Sequence, residues 1–417
     1  MKQNFKRAKR ACYIAALMMS ICGNISPILF LTFRNLYDIS YSLLGFLVLV
    51  NFFTQLVVDL VLSFFSHKIN SKLAVKLTPL IAAFGLAVYA LWPLFFNESA
   101  YVGILVGTVI FSAASGLGEV LLSPVIAAIP AENPEREMSK LHSIYAWGVV
   151  GMVAVSTLFL FVFGTEYWWA LILLLTLVPL SSALLFVGAE LPDLNAPEKM
   201  SGTVRFLKNP ILWLCILAIF LGGAAECTMA QWASGYIEET LGIPKIWGDI
   251  CGVALFSLTL GIGRSLYAKY GRNIEKFLLL GGVGAAVCYL VAAVSPIPVI
   301  GLLACGFTGF FTSMMWPGSL IAVAERIPSG GVVMYAMMAA GGDLGASIAP
   351  QLVGVVTDGV SASASLSSFA AELGITAEQL GMKCGMLIGM LFPLFAIIVY
   401  AVLLRERTKR EVKKLDS

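Results

Sequence analysis

Residues 211–236 read ILWLCILAIFLGGAAECTMAQWASGY. The stretch is apolar throughout and longer than the roughly 20 residues that cross a bilayer. It carries one carboxylate, Glu226. An ionised acid at the bilayer centre costs about 3 kcal/mol on insertion scales. A chain keeps such a group where it faces water, a partner or a solute. Glu119 and Asp343 repeat the pattern in two other apolar stretches.

The composition around this stretch has the same character. The 417 residues are 59% hydrophobic and 12% charged, against about 25% charged in soluble domains. The chain therefore reads as an all-α membrane protein. Twelve spans are expected: 11–33, 42–65, 73–96, 101–128, 139–164, 167–190, 211–236, 246–268, 275–295, 297–324, 332–358 and 380–404. They are too long for barrel strands, which run about 10 residues with alternating polarity. The first follows a basic start but exceeds the core of a signal peptide, and no clear cleavage site follows it. It reads as an uncleaved first helix.

Charge placement orients the spans. Of the 27 lysines and arginines, all but Arg34, Lys245 and Lys383 fall on the side of the two termini. Basic residues stay cytoplasmic, so both termini are expected in the cytoplasm, in a plasma (cytoplasmic) membrane. A net charge of +3 gives no case for a nucleic-acid partner. The eight cysteines lie in or beside apolar spans with no metal-ligand spacing, and His67 and His142 are far apart. No metal, no cofactor and no enzyme chemistry is expected.

The chain divides into 1–190, a linker at 191–209 with two prolines and mixed charge, and 210–417. The halves echo each other. Gly116 and Pro124 in the fourth span match Gly309 and Pro317 in the tenth, and Gly148 and Gly151 match Gly342 and Gly345 at nearly the same offset. The order points to a duplicated six-helix unit. Parallel repeats of that size place a solute site near the midplane. The expected fold is two pseudo-symmetric six-helix bundles around a central cavity.

The basic loops SHKINSKLAVK (66–76) and GIGRSLYAKYGRNIEK (261–276) resemble degenerate copies of the cytoplasmic-loop motif of the major facilitator superfamily. The second keeps Gly263–Arg264 and Gly271–Arg272; the first has Ser66 and His67 where the motif carries Asp and Arg. In that superfamily the motif latches the cytoplasmic side through charge pairs, so the departure puts a first-half latch in doubt. Further stretches resemble one branch, the fucose permease-like (fucose–galactose–glucose:proton symporter) family. They are SGLGEVLLSPVIAAIP (115–130), MSKLHSIYAWGVVG (138–151) and FLGGAAECTMAQWASGYIEETLGIPKIWGD (220–249). The resemblance implies twelve helices and alternating access. It also implies a role for the helix-4 acid, Glu119, in proton coupling and sugar binding.

Candidate residues follow from chemistry. Glu119, Glu226 and Asp343 are candidates for carrying the proton. Sugar sites combine amides or carboxyls for hydroxyls with aromatic faces for the ring. The substrate candidates are thus Asn24, Asn51, Gln55, Glu119, Trp147, Glu226, Gln231, Trp232, Trp316 and Gln351. Asn51 and Gln55, four apart, share one helix face. Gly222–Gly223 would let the seventh helix bend, and the glycines before Asp343 point to irregular backbone. Asp59, His142 and Arg264 are gating candidates, with Asp59 expected to pair with the basic loops. Trp92, Trp168, Trp169 and Trp247 look like interfacial anchors. The partners are then a sugar-like solute, a proton and the bilayer, in a secondary transporter taking up a monosaccharide. A proton-driven exporter on the same fold, or a non-transporting receptor or scaffold, is the alternative.

Overall fold

The computed structural model describes residues 2–65, 70–130, 134–192, 208–271, 273–327 and 331–415. Among them, eleven helices are long and apolar enough to cross a membrane. A twelfth is a bent pair, Met334–Ser361 and Ala364–Glu372, with 86° between its arms. The chain is a multi-span, all-α membrane protein. Hydrocarbon offers backbone N–H and C=O groups no partner, so the chain satisfies them within helices. Ser66, His67 and Arg272, and most of the linker 191–209, lie outside the described residues.

Contacts group the chain into two compact units, Met1–Ile39 with Val50–Lys199, and Ser40–Leu49 with Met200–Ser417. The first unit holds Lys2–Ile28 (α1), Phe30–Tyr37 (α2), most of Tyr41–Phe65 (α3), Ser71–Phe95 (α4), Ala100–Ala128 (α5), Pro134–Phe163 (α6) and Trp168–Phe186 (α7). The expected first span, 11–33, is broken at Leu29. Pro27 lacks an N–H and stiffens the chain just before the break. Four aromatic side chains join α2, α4, α5 and α7. Phe33 meets Trp168 edge-on at 5.0 Å, and Tyr89 meets Trp168 at 6.0 Å and Phe111 at 5.5 Å. Trp168 is 1% exposed, so it is a core residue and not the interfacial anchor its position suggests. At the other end, Lys9 of α1 pairs with Glu137 of α6 at 2.5 Å, and Tyr13 donates to the same carboxylate.

The second unit holds the start of α3 together with Pro210–Glu239 (α8), Leu255–Tyr270 (α9), Ile274–Val294 (α10), Pro298–Thr312 (α11), Met315–Arg326 (α12), Gly331–Ser361 (α13), Ala364–Glu372 (α14) and Ala377–Leu415 (α15). Asn209 caps α8 by accepting from Ile211 N, with Pro210 in the first turn. The amides of Tyr41 and Ser42, at the start of α3, donate to Asp358 at 3.1 and 2.6 Å. Buried tyrosines spend their hydroxyls on carbonyls of neighbouring helices: Tyr236 on Ala292 and Tyr289 on Ala225, both at 2.7 Å.

Two backbone expectations need correction. Helix α8 is continuous through Gly222–Gly223. These glycines serve close approach, because a Cβ on Gly223 would lie 2.6 Å from the carbonyl oxygen of Gly342. Helix α13 is likewise continuous through Asp343. The break occurs instead in the tenth span, between α11 and α12 at Ser313–Met314.

One of the three matched glycine pairs sits at matched contacts. A Cβ on Gly116 of α5 would lie 3.2 Å from Gln55 Cα of α3, and one on Gly309 of α11 would lie 2.1 Å from Phe256 O of α9. Gly148 of α6 packs on Ser20 of α1 but its match Gly342 packs on Trp316, and Gly345 of α13 packs on Phe220 of α8 while a Cβ on its match Gly151 would meet nothing within 4 Å. In each unit, the fourth helix of the repeat touches the second and the fifth touches the first at a residue with no side chain.

Glu275, fully buried at the start of α10, holds two arginines at 2.8 Å: Arg326 at the end of α12 and Arg407 of α15. Removing the charge leaves Arg326 buried without its counter-ion. Glu275→Gln is expected to lower stability by about 3 kcal/mol, measured as a fall in the detergent melting curve; an unchanged curve would mean that the ion pairs add nothing. In the first unit, hydrogen bonds from Lys9 and then Tyr13 hold the Glu137 carboxyl below its ordinary value of 4.5. A depressed acid gives stability that is present above its unfolded pKa and is lost as pH falls through the folded one. Wild type should therefore melt above Glu137→Gln at neutral pH, and the gap should close on acidification below about 4.5; a gap that persists in acid would rule out the linkage.

Candidate functional site

The chemistry-bearing side chains gather in two places, one in each unit. In the second unit the organiser is a proline. A helical carbonyl at Ser313 would accept from residue 317, but Pro317 has no N–H to give. Arg264 of α9 takes that carbonyl instead, donating through Nε at 3.0 Å. The same guanidinium reaches Glu226 of α8, with Nη2 to Oε1 at 3.3 Å. The other oxygen, Oε2, is buried with no hydrogen-bond partner among the described residues. Asp343 of α13 is 6% exposed, and its charge, with those of Glu226 and Arg264, acts on Cys227. Trp316 wedges beside this group: Cβ atoms on Gly223 and Gly342 would lie 2.9 and 2.5 Å from its ring. The structure thus unites Glu226, Asp343, Arg264 and Trp316.

In the first unit, α3 and α5 face each other along two polar stripes. Asn51, Gln55 and Asp59 follow at four-residue steps on α3; Ser112, Gly116 and Glu119 share a face of α5. The Asn51 Oδ1 accepts from Ser112 Oγ at 2.6 Å and from Gln55 Nε2 at 2.9 Å. Gly116 leaves the space that Gln55 occupies. Beyond it come Asp59 and Glu119, near enough for the Glu119 charge to act on Asp59. Asp59 is 9% exposed, and its Oδ1 has no hydrogen-bond partner among the described residues. The expected pairing of Asp59 with the basic loop falls on residues 66–69, which lie outside the described residues. Glu119 has an accessible side chain although it lies deep among protein atoms.

Other sequence candidates stand apart. Trp232 is 1% exposed, and its indole N–H donates to Pro350 O at 2.8 Å. Gln231 and Gln351 each keep a buried side-chain oxygen with no hydrogen bond among the described residues. Asn24 donates to Ser20 O in its own helix, and Trp147 is 72% exposed. The His142 side chain lies outside the described residues. Sequence reading missed Ser112, whose signal was its place seven residues before Glu119. It also missed the Ser313 carbonyl, whose signal was Pro317 four residues on. Among the described residues no His, Cys, Asp and Glu gather as a metal site.

The family model described as Major Facilitator Superfamily matches residues 11–350. No curated protein matches the chain. Among solved structures, a bacterial homolog of the human lysosomal transporter Spinster superposes with a TM-score of 0.72 at 13% identity, covering 97% of this chain and 98% of the other. A D-xylose–proton symporter gives 0.72 at 14% identity, covering 93% and 97%. The E. coli fucose:proton symporter FucP gives 0.60 at 16% identity, covering 95% and 98%. At such identities the likeness shows the fold alone.

The Arg264–Glu226 contact is testable as a pair. Arg264→Met and Glu226→Gln should each destabilise, and the double variant should lose less than the sum. The expected coupling is about 1 kcal/mol for a partly exposed pair. Additive losses in melting experiments would show that the two side chains do not interact.

Proposed function

This chain belongs to the major facilitator superfamily, a family of secondary transporters, and we propose that its solute is a monosaccharide or a related polyhydroxylated molecule, taken up with a proton. The observation that carries the reading is the stripe on α3 and α5. It sets a hydrogen-bonded amide and hydroxyl ladder (Asn51, Gln55, Ser112) beside an accessible acid, Glu119. Amides and hydroxyls suit sugar hydroxyls. An acid in a low-dielectric surround loads a proton readily and releases it when water reaches it. The stretches that resemble fucose permease-like proteins, and the printed sugar–proton symport of two similar structures, support the same reading.

The proposal assigns residue roles. Glu119 carries the coupling proton. Trp316 packs beside Glu226 and Asp343 within the second unit, and Trp232 holds α8 to α13 through Pro350. Arg264 partners Glu226 when that acid is ionised, and its release accompanies protonation of Glu226. The chain sits in the cytoplasmic membrane with both termini inside, as the basic residues place it.

The test is proton movement and solute uptake in proteoliposomes offered hexoses, pentoses and amino sugars. One sugar should carry protons inward and alkalinise the outside. Glu119→Gln should lose proton-driven accumulation and keep counterflow exchange. No response across the panel would remove the sugar, and accumulation by Glu119→Gln would remove Glu119 from coupling.

A further inference from the structure

Between α13 and α15 lies a helix too short to cross anything. The nine residues of α14 reach about 13 Å at 1.5 Å per residue, against roughly 30 Å of hydrocarbon. The helix stands at 86° to α13. Local hydrogen bonds fix that direction at both ends. At the start, the Ala362 and Ser363 amides donate to Asp358 O and Val360 O, and Ser367 Oγ donates to Ser361 O. At the end, Gly374 takes the left-handed conformation at φ 72°. Its amide donates to Ala371 O, and the Ile375 amide donates to Ala370 O at 3.1 Å, the two bonds of a Schellman stop. Thr376 and Gln379 then cap α15 reciprocally, each backbone amide donating to the other's side-chain oxygen at 3.1 Å. The Gln379 side chain ties this corner to α8 by donating to Glu239 O at 2.9 Å.

The helix so placed has two unlike sides. Leu366, Phe369 and, at the C-cap, Leu373 follow at i, i+3 and i+7 on one face, and all three are exposed. Ala370, next to them, is fully buried in a cluster with Val360 of α13 and Leu380 of α15. Ser365, Ser368 and Glu372 are exposed on another face, and the helix carries no lysine or arginine. One side therefore favours hydrocarbon and the other water, and the apolar side is the one seated on two long membrane helices. Leu391, Phe395 and Ile398 of α15 are exposed as well, so the stripe continues an apolar surface that the bilayer covers. A second copy of the chain is a poor occupant: three side chains on nine residues fall short of the roughly 1,200 Å² that a stable protein interface buries.

We infer that α14 is an interfacial helix, lying in the membrane plane with Leu366, Phe369 and Leu373 among the acyl chains of the leaflet at that end of α13. Its partner is the apolar layer beneath the headgroups and not a headgroup charge, because the helix has no base to offer an anionic lipid. The inference is independent of the solute and of the coupling acid.

The experiment is photo-crosslinking of the purified full chain in proteoliposomes, with p-benzoylphenylalanine at one position at a time. With radioactive phosphatidylcholine, Phe369→p-benzoylphenylalanine should take up label on illumination, and the same replacement of Leu366 should do so too. At Ser368, on the polar face, labelling should be about tenfold lower. Phosphatidylglycerol in place of phosphatidylcholine should change neither result. All three positions are exposed, so the replacements spare the core. Tryptophan emission gives a second readout. Phosphatidylcholine brominated on its acyl chains should quench the emission added by Phe369→Trp and spare that added by Ser368→Trp. Equal labelling at Ser368 and Phe369 would overturn the inference, as would a crosslink from Phe369 to a second copy in place of lipid, or labelling that requires phosphatidylglycerol.

Discussion

A carbonyl without a donor is the constraint on which this structure turns. In hydrocarbon a freed backbone oxygen costs several kcal/mol. Pro317 frees one at Ser313 in the middle of a span, and the chain answers with Arg264. That answer brings a guanidinium into the interior of the second unit, and the guanidinium in turn makes Glu226 tolerable there. One missing N–H therefore accounts for three features of the second unit: a broken tenth span, an interior arginine and an interior ion pair. The tyrosine hydroxyls that donate to Ala225 and Ala292 follow the same rule from the other direction, as polar groups that must find a carbonyl.

The interior acids sort by how their charge is met. Glu275 is held by two arginines, with Arg326 4% exposed. A charge held so firmly keeps helix ends together and has little reason to exchange a proton. Glu226 has one long contact to a half-exposed arginine and a second oxygen left over. It can change partners at small cost. Among the described residues the Asp59 Oδ1 has no hydrogen-bond partner, and the charge that acts on Asp59 is that of Glu119.

How much of this was legible in the sequence depends on the range of the interaction. The spans were legible because hydrophobic length is a local property, and the acids because a charge in an apolar run is costly wherever the chain then goes. The Asn51–Gln55 face followed from helical spacing alone. Ser112 did not, because a serine in an apolar helix usually bonds back to its own turn; here it bonds to a residue 61 positions away. Gly222–Gly223 and the glycines before Asp343 were read as backbone freedom and proved to be space. Nothing local separates a glycine that bends a helix from one that admits the carbonyl of Gly342. Trp168 misled for a related reason. Its position near a span end fits a membrane interface, and its burial depends on Phe33 and Tyr89 arriving from two other helices.

The internal repeat shows which features a duplicated unit holds fixed. Gly116 and Gly309 both remove a side chain where the fourth helix of a unit crosses the second, whereas the matched pairs Gly148/Gly342 and Gly151/Gly345 differ in what they touch. Helix packing is thus the same in both units at the crossing of the fourth and second helices. The charges are not. One turn beyond Gly116 stands Glu119; at the same step beyond Gly309 stands Thr312, its hydroxyl spent on Thr308 O. The second unit instead carries its acids on α8 and α13 and adds the arginine on α9. Packing contacts are constrained by the shape of both partners at once, so a copy that loses the glycine loses the crossing. A polar residue beside that crossing is constrained only by whether its charge finds a partner. Divergence after duplication is therefore cheapest in the charges, and two units with one architecture place their interior acids on different helices, α3 and α5 in one and α8 and α13 in the other.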